Sequence, residues 1–215
     1  QRDGYCALLK IGGKFGGAFL CDGVGLGKTF VGLMLIERLV KFERKKVLLI
    51  VPKSGREPVW ESALRTYLPE LFGVFSNLVV INHTDLQRGG EWVERLQRIK
   101  DQADVVVVDE AHHFRNPSTK KDTSRYWQMQ DLAKGKQVFM LTATPINNRL
   151  IDLQHLIEHF TQRDAGHFKE TLGIHSLSGY FRKLEKDLAK PMAGELIESD
   201  HPGIEASNLL SQDGL

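Results

Sequence analysis

The sequence predicts an α/β chain, an open, mainly parallel sheet with helices on both faces. Two observations carry this. Apolar runs rich in β-branched residues recur at 18–21, 47–51, 78–81, 105–108 and 138–141, and none alternates with polar residues. Uninterrupted apolar runs of this length mark strands covered on both faces. The stretches between the runs are long enough for helices, and strands alternating with helices give a parallel sheet.

Taken in order, strand 18–21 leads through a glycine-rich segment into helix 29–42. Strand 47–51 precedes helix 57–67, strand 78–81 precedes helix 91–101, and strand 105–108 precedes helix 123–133. Strand 138–141 is followed by helix 152–161, which carries Leu153, Leu156, Ile157 and Phe160 on one face. Beyond it the sheet pattern stops. Residues 179–190 read as a basic helix, and residues 192–215 as a mobile polar tail or a linker. The expected division is a sheet domain over 1–162 and a helical appendage with tail over 163–215. Ligands of such a sheet bind at the C-terminal ends of the strands.

Composition narrows the class. The chain has 215 residues, 41% of them hydrophobic, enough for one large domain with a full core. A net charge of +2 means that any contact with a polyanion must come from a local basic face. The two cysteines, Cys6 and Cys21, form no CxxC pair, which fits a reducing intracellular setting in cytoplasm, nucleoid or nucleus. No apolar run approaches the roughly 18 residues of a membrane span, so no membrane partner is expected. The chain begins at Gln1 without Met and is expected to be a fragment.

The most specific motif is Asp22-Gly-Val-Gly-Leu-Gly-Lys-Thr29, between a predicted strand and a predicted helix. Triphosphate binding needs this arrangement. Glycines let backbone N–H groups approach phosphates, and a helix N-terminus favours an anion. Gly23, Gly25, Leu26 and Gly27 supply backbone, Lys28 reaches the β- and γ-phosphates, and the Thr29 hydroxyl binds Mg²⁺. The run 105–108 ends in Asp109-Glu110-Ala111-His112. A buried strand ending in two carboxylates suits hydrolysis, with Asp109 for Mg²⁺ and Glu110 to orient and deprotonate the attacking water. ATP and Mg²⁺ are therefore the expected ligands, with Glu110 and Lys28 carrying the chemistry.

With both boxes in place, residues 1–160 resemble the first RecA-like, P-loop lobe of superfamily 2 helicases, closest to Swi/Snf-type DNA translocases. Asp22 at the first position of the loop is similar to the Swi/Snf form, whereas Gly23 departs from it. Leu141-Thr-Ala-Thr-Pro-Ile-Asn-Asn148 looks like the family's third motif. The resemblance assigns Thr142 and Thr144 to coupling between nucleotide and track, with His112 as a relay. Pro52, Lys53 and Ser54, with Trp60 and Glu61 following, are similar to motif Ia; Asn82, His83 and Thr84 stand where motif Ib would be. Both segments are then expected to touch the phosphates of double-stranded DNA. Gln1 lies as far ahead of the loop as the family's adenine-reading Gln, whose amide can donate and accept.

The implied function is ATP hydrolysis coupled to movement on DNA. A strand-separating helicase or a restriction-enzyme motor subunit carries the same motifs, and a nucleotide switch that never touches nucleic acid is the alternative of another class. The family's second RecA-like lobe supplies arginine fingers, and no second sheet pattern follows residue 160, so this fragment is expected to bind nucleotide but hydrolyse it poorly. His155, Glu158 and His159 match the HxxEH pattern of a zinc helix, but a packed helix with rim histidines is the plainer reading, and no zinc is expected. Arg182, Lys183 and Lys186 form either a solvated face or a DNA-contacting one. Arg38, Lys41, Arg44, Lys45 and Lys46 read as cations closing a helix.

Overall fold

The computed structural model describes residues 1–189 except 24, 26, 72–75, 122, 123 and 148. Leu26, Asn148 and the expected tail at 192–215 lie outside the described residues. Five parallel strands form one sheet in the order β1-β5-β4-β2-β3. They are β1 (Gly17–Leu20), β2 (Val47–Val51), β3 (Leu78–Asn82), β4 (Val105–Asp109) and β5 (Gln137–Leu141), each within one residue of its predicted bounds.

The apolar runs serve both faces by strict alternation. Val47, Leu49 and Val51 of β2, Val105 and Val107 of β4, and Phe139 and Leu141 of β5 enter one core. Leu48 and Ile50, Val106 and Val108, and Val138 and Met140 enter the other. All thirteen are buried. Each buried Val, Leu or Ile is stabilised by roughly 1.5–3 kcal/mol, so the sheet is an anchor that a local change does not shift.

The first core is closed by α1 (Arg2–Phe15), α2 (Lys28–Glu37) and α4 (Ser62–Tyr67), through Leu8, Val31, Leu35, Ile36 and Leu64. The second is closed by α5 (Trp92–Gln102), α6 (Arg125–Ala133) and α7 (Ile151–Thr161). Helix α1 has no counterpart in the sequence reading. Gly4, Gly12 and Gly13 lower its helix propensity, but Gly12 serves packing: a Cβ there would meet the Phe139 ring at 2.5 Å.

Two helices differ from expectation in winding. After Glu37 the expected 29–42 helix widens into a π-helical turn, Arg38–Phe42. The segment after β2 is a short helix, α3 (Lys53–Gly55), then a π-helical turn, Arg56–Glu61, then α4. Beyond α7, α8 (Lys169–Leu172) and α9 (Leu177–Ala189) form a small third cluster. Phe168, Leu177 and Phe181 pack there against Phe15, Leu150, Leu153 and Ile157. Among the described residues no helix is long and apolar enough to cross a membrane.

Candidate nucleotide site

The sheet order creates the site. The glycine loop leaves β1, the acidic pair ends β4, and β5 lies hydrogen-bonded between them. Loop geometry explains the glycines. Gly25 and Gly27 have φ of +80° and +83°, conformations that other L-residues rarely adopt. Gly27 caps α2, leaving the first amides of that helix without intrahelical acceptors. Lys28 Nζ donates to the carbonyls of Asp22 and Gly23 at 2.9 and 2.8 Å. Gln1 reaches the same loop, since a Cβ on Gly27 would meet Gln1 Nε2 at 2.2 Å.

Across the cleft, the two carboxylates are in different environments. Asp109 is half-buried, and its Oδ2 accepts from the indole Nε1 of Trp60 at 2.7 Å. Its Oδ1 accepts from the backbone N–H of Glu110 at 3.0 Å. Burial pushes the Asp109 carboxyl above the usual carboxylate range, and the Trp60 N–H opposes that push. Glu110 is a non-glycine residue with φ 49° and ψ 49°. Left-handed backbone at such a residue costs about 1–2 kcal/mol and persists where the surroundings enforce it, often at functional sites.

His112 connects the acid to β5. Its Nδ1 lies 3.2 Å from Glu110 Oε2 and 3.3 Å from Thr142 Oγ1. Burial first, then the nearby Arg115 cation, lowers its pKa, which keeps the ring neutral at pH 7. Thr142 is fully buried, its N–H donates to the Leu20 carbonyl of β1 at 3.0 Å, and its Oγ1 accepts from Thr144 N–H at 3.3 Å. Thr142 thereby touches the strand before the glycine loop and the relay to the acidic pair. Lys28, Thr29, Asp109, Glu110 and His112 line one open cleft of about 700 Å³.

The residues of the Ia-like and Ib-like segments divide. Lys53, Ser54 and Thr84 are exposed. Pro52 and Ser54 also line the nucleotide cleft, together with Gly25, Gly27 and Lys28. His83 is a correction. It is only 4% exposed, its Nε2 donates to the Asp109 carbonyl at 2.8 Å, and its ring stacks edge-on against Phe114. It supports the acidic strand end from below and does not face outward as a DNA contact must. Asn82 is half-buried, and its Nδ2 donates to Asp85 Oδ2 at 3.0 Å in a reciprocal cap of the turn after β3.

The HxxEH residues are engaged in packing. His159 is fully buried and its Nε2 donates to the Phe114 carbonyl at 2.9 Å, while Glu158 accepts from Tyr126 and Gln154. Trp60 is the site residue to which sequence reasoning gave no role. Its place in the Ia-like segment was visible, but its contact spans 49 residues and depends on how β2 and β4 pair.

Residues 17–147 match the family described as "Type III restriction enzyme, res subunit". The Bacillus subtilis (strain 168) protein named "Uncharacterized ATP-dependent helicase YqhH" is 33% identical over 171 residues, covering 75% of this chain and 29% of that protein. "DNA repair and recombination protein RAD54B" of Gallus gallus is 27% identical over 232 residues, covering 91% of this chain and 24% of its own length. The chain thus spans less than a third of these relatives. The solved structure "Sulfolobus solfataricus SWI2/SNF2 ATPase core in complex with dsDNA" shares the fold with a TM-score of 0.63 at 22% identity, over 86% of this chain and 40% of that one. The chain therefore belongs to the Type III restriction enzyme res-subunit family, and its parallel sheet and motif order are those of the N-terminal RecA-like lobe of a superfamily 2 helicase.

Proposed function

We propose that this lobe binds ATP with Mg²⁺ and, within the intact protein, hydrolyses it to drive movement along double-stranded DNA. The observation that carries the reading is the single cleft holding Lys28, Thr29, Asp109 and Glu110, with His112 bridging Glu110 to Thr142. The names of the relatives, an ATP-dependent helicase and a DNA repair protein, support the same activity.

In this reading Gly25, Gly27 and the first amides of α2 hold the phosphates. Lys28 exchanges its two loop carbonyls for phosphate oxygens, and Gln1 stands at the loop to meet the base. The donor set suits Mg²⁺: the Thr29 hydroxyl and the Asp109 carboxylate are hard oxygens, and each Asp109 oxygen keeps a lone-pair direction beyond the one used. Mg²⁺, when bound, neutralises charge that develops on the phosphates. Glu110 orients the water and takes its proton. His112 passes the state of Glu110 to Thr142 and on to Thr144. The second RecA-like lobe supplies the arginine that completes the site, so the isolated lobe binds nucleotide and turns it over slowly.

The test is nucleotide binding and hydrolysis on the intact protein. Lys28→Ala should abolish binding of Mg·ATP, and Glu110→Gln should keep binding and lose hydrolysis. Wild-type turnover in Glu110→Gln would remove Glu110 as the base. Duplex DNA should stimulate the wild-type rate; an ATPase indifferent to DNA would point to a nucleotide switch. The relative named as a helicase favours one further reading, strand separation, which a strand-displacement assay distinguishes from translocation alone.

A further inference from the structure

With His83 buried, the exposed cations at the sheet's β3 edge remain to be explained. Two guanidinium groups lie over the ring of Trp92, at the start of α5. The Arg88 carbon Cζ is 5.5 Å and the Arg95 Cζ 5.0 Å from its ring centroid. The indole is fixed in turn, donating from Nε1 to the Asp85 carbonyl at 2.8 Å. Arg88, Arg95 and Arg98 are exposed, and none is ion-paired to a carboxylate among the described residues. They line an open groove of about 790 Å³. Arg56, three residues beyond Lys53, shares a smaller hollow with Arg88 and Arg95 along β3, although Glu61 pairs with it at 2.7 Å. A strip of cations thus runs from the loop after β2 to the first turns of α5.

A chain with a net charge of +2 that gathers unpaired arginines around one fixed indole has built a local anion site. The opposing charges are few. Glu91 and Glu94 line the groove, and Asp85 lies under it with its carboxylate committed to Asn82. We propose that Arg88 and Arg95, held against the Trp92 ring, bind the phosphate backbone of duplex DNA as a second track contact beside Lys53 and Thr84. This rests on the DNA reading above. Guanidinium groups already resting on a fixed ring present their N–H groups to phosphates at little entropic loss.

The test uses the intact protein, a fluorescein-labelled random-sequence duplex and a fluorescent ATP analogue. Arg88→Ala/Arg95→Ala should weaken duplex binding about tenfold and reduce the slope of log affinity against log salt by about two. Nucleotide affinity and basal hydrolysis should stay unchanged, which shows the variant to be folded. Glu94→Gln should act in the opposite direction, tightening the duplex by about two- to threefold. Wild-type affinity and salt slope in the double variant would overturn the site while leaving the DNA reading intact. A wild-type protein that does not bind the duplex would overturn both. Weakening on single strands but not on duplex would replace backbone binding by base stacking on Trp92, and also overturn the proposal.

Discussion

At the scale of residues, Trp60 and Asp109 are joined by one hydrogen bond of 2.7 Å inside the wall of the cleft. Trp60→Phe keeps most of the ring volume but leaves the half-buried carboxylate without its side-chain donor. The expected loss is about 1.5–3 kcal/mol of stability, read from the urea midpoint. Because the indole N–H holds the Asp109 pKa down against burial, its removal also moves the acidic limit of Mg·ATP binding to higher pH. His83 and His159 give a second dependence on pH. Burial lowers each from 6.5 to about 4. The unfolded chain then takes up protons between those values that the folded chain refuses. Stability is full above pH 6.5 and falls as pH drops, by about 2 kcal/mol per histidine at pH 5. His83→Gln retains a donor for the Asp109 carbonyl and should remove its share of the slope. An unfolding free energy that is flat from pH 7 to 5 in the wild type would contradict both assignments.

At the scale of elements, α2 can lie close to the sheet only because Gly32 has no side chain. A Cβ there would meet Trp60 Cη2 at 2.6 Å and Leu141 Cδ1 at 3.0 Å, both on fully buried residues. Gly32→Ala gains about 1 kcal/mol of helix propensity, but overpacking costs about 1–3 kcal/mol. The expected result is a net loss, with weaker nucleotide binding because Trp60 is pushed off Asp109. Denaturation and nucleotide titration on the same variant check both. The strands were legible because fully apolar runs such as VVVV admit few other placements. The glycine loop and acidic box were legible because their chemistry is local in sequence. Helix α1 was not, since its glycines weaken the helical signal while improving its packing. The burial of His83 was not, because a polar residue at a strand end looks solvent-facing until the 83–87 turn folds it beneath β4.

At the scale of the whole molecule, the segment after α7 is fastened to the start of the chain. His167 Nε2 donates to the Phe15 carbonyl at 2.9 Å, across 152 residues. Phe168, Leu177 and Phe181 cover Phe15 and the outer face of α7. Phe181→Ala and Leu177→Ala should each cost about 2–5 kcal/mol, lowering Tm while Mg·ATP still binds the opposite end of the sheet. An unchanged Tm would mean that the third cluster contributes nothing to the fold. The same arrangement joins α1, which carries Gln1 to the phosphate loop, to α7, which follows β5.

The burial of Trp60 also makes it an optical reporter. The chain has three tryptophans, and Trp60 alone is fully enclosed, whereas Trp92 and Trp127 are partly open to solvent. In a Trp92→Phe/Trp127→Phe background the remaining emission comes from a single indole whose nitrogen touches the carboxylate facing the cleft. Charge arriving at Asp109 alters the electric field along that ring, so its emission wavelength should shift when Mg·ATP binds and stay still for ATP without the cation. Site loading could then be followed in real time without any attached dye.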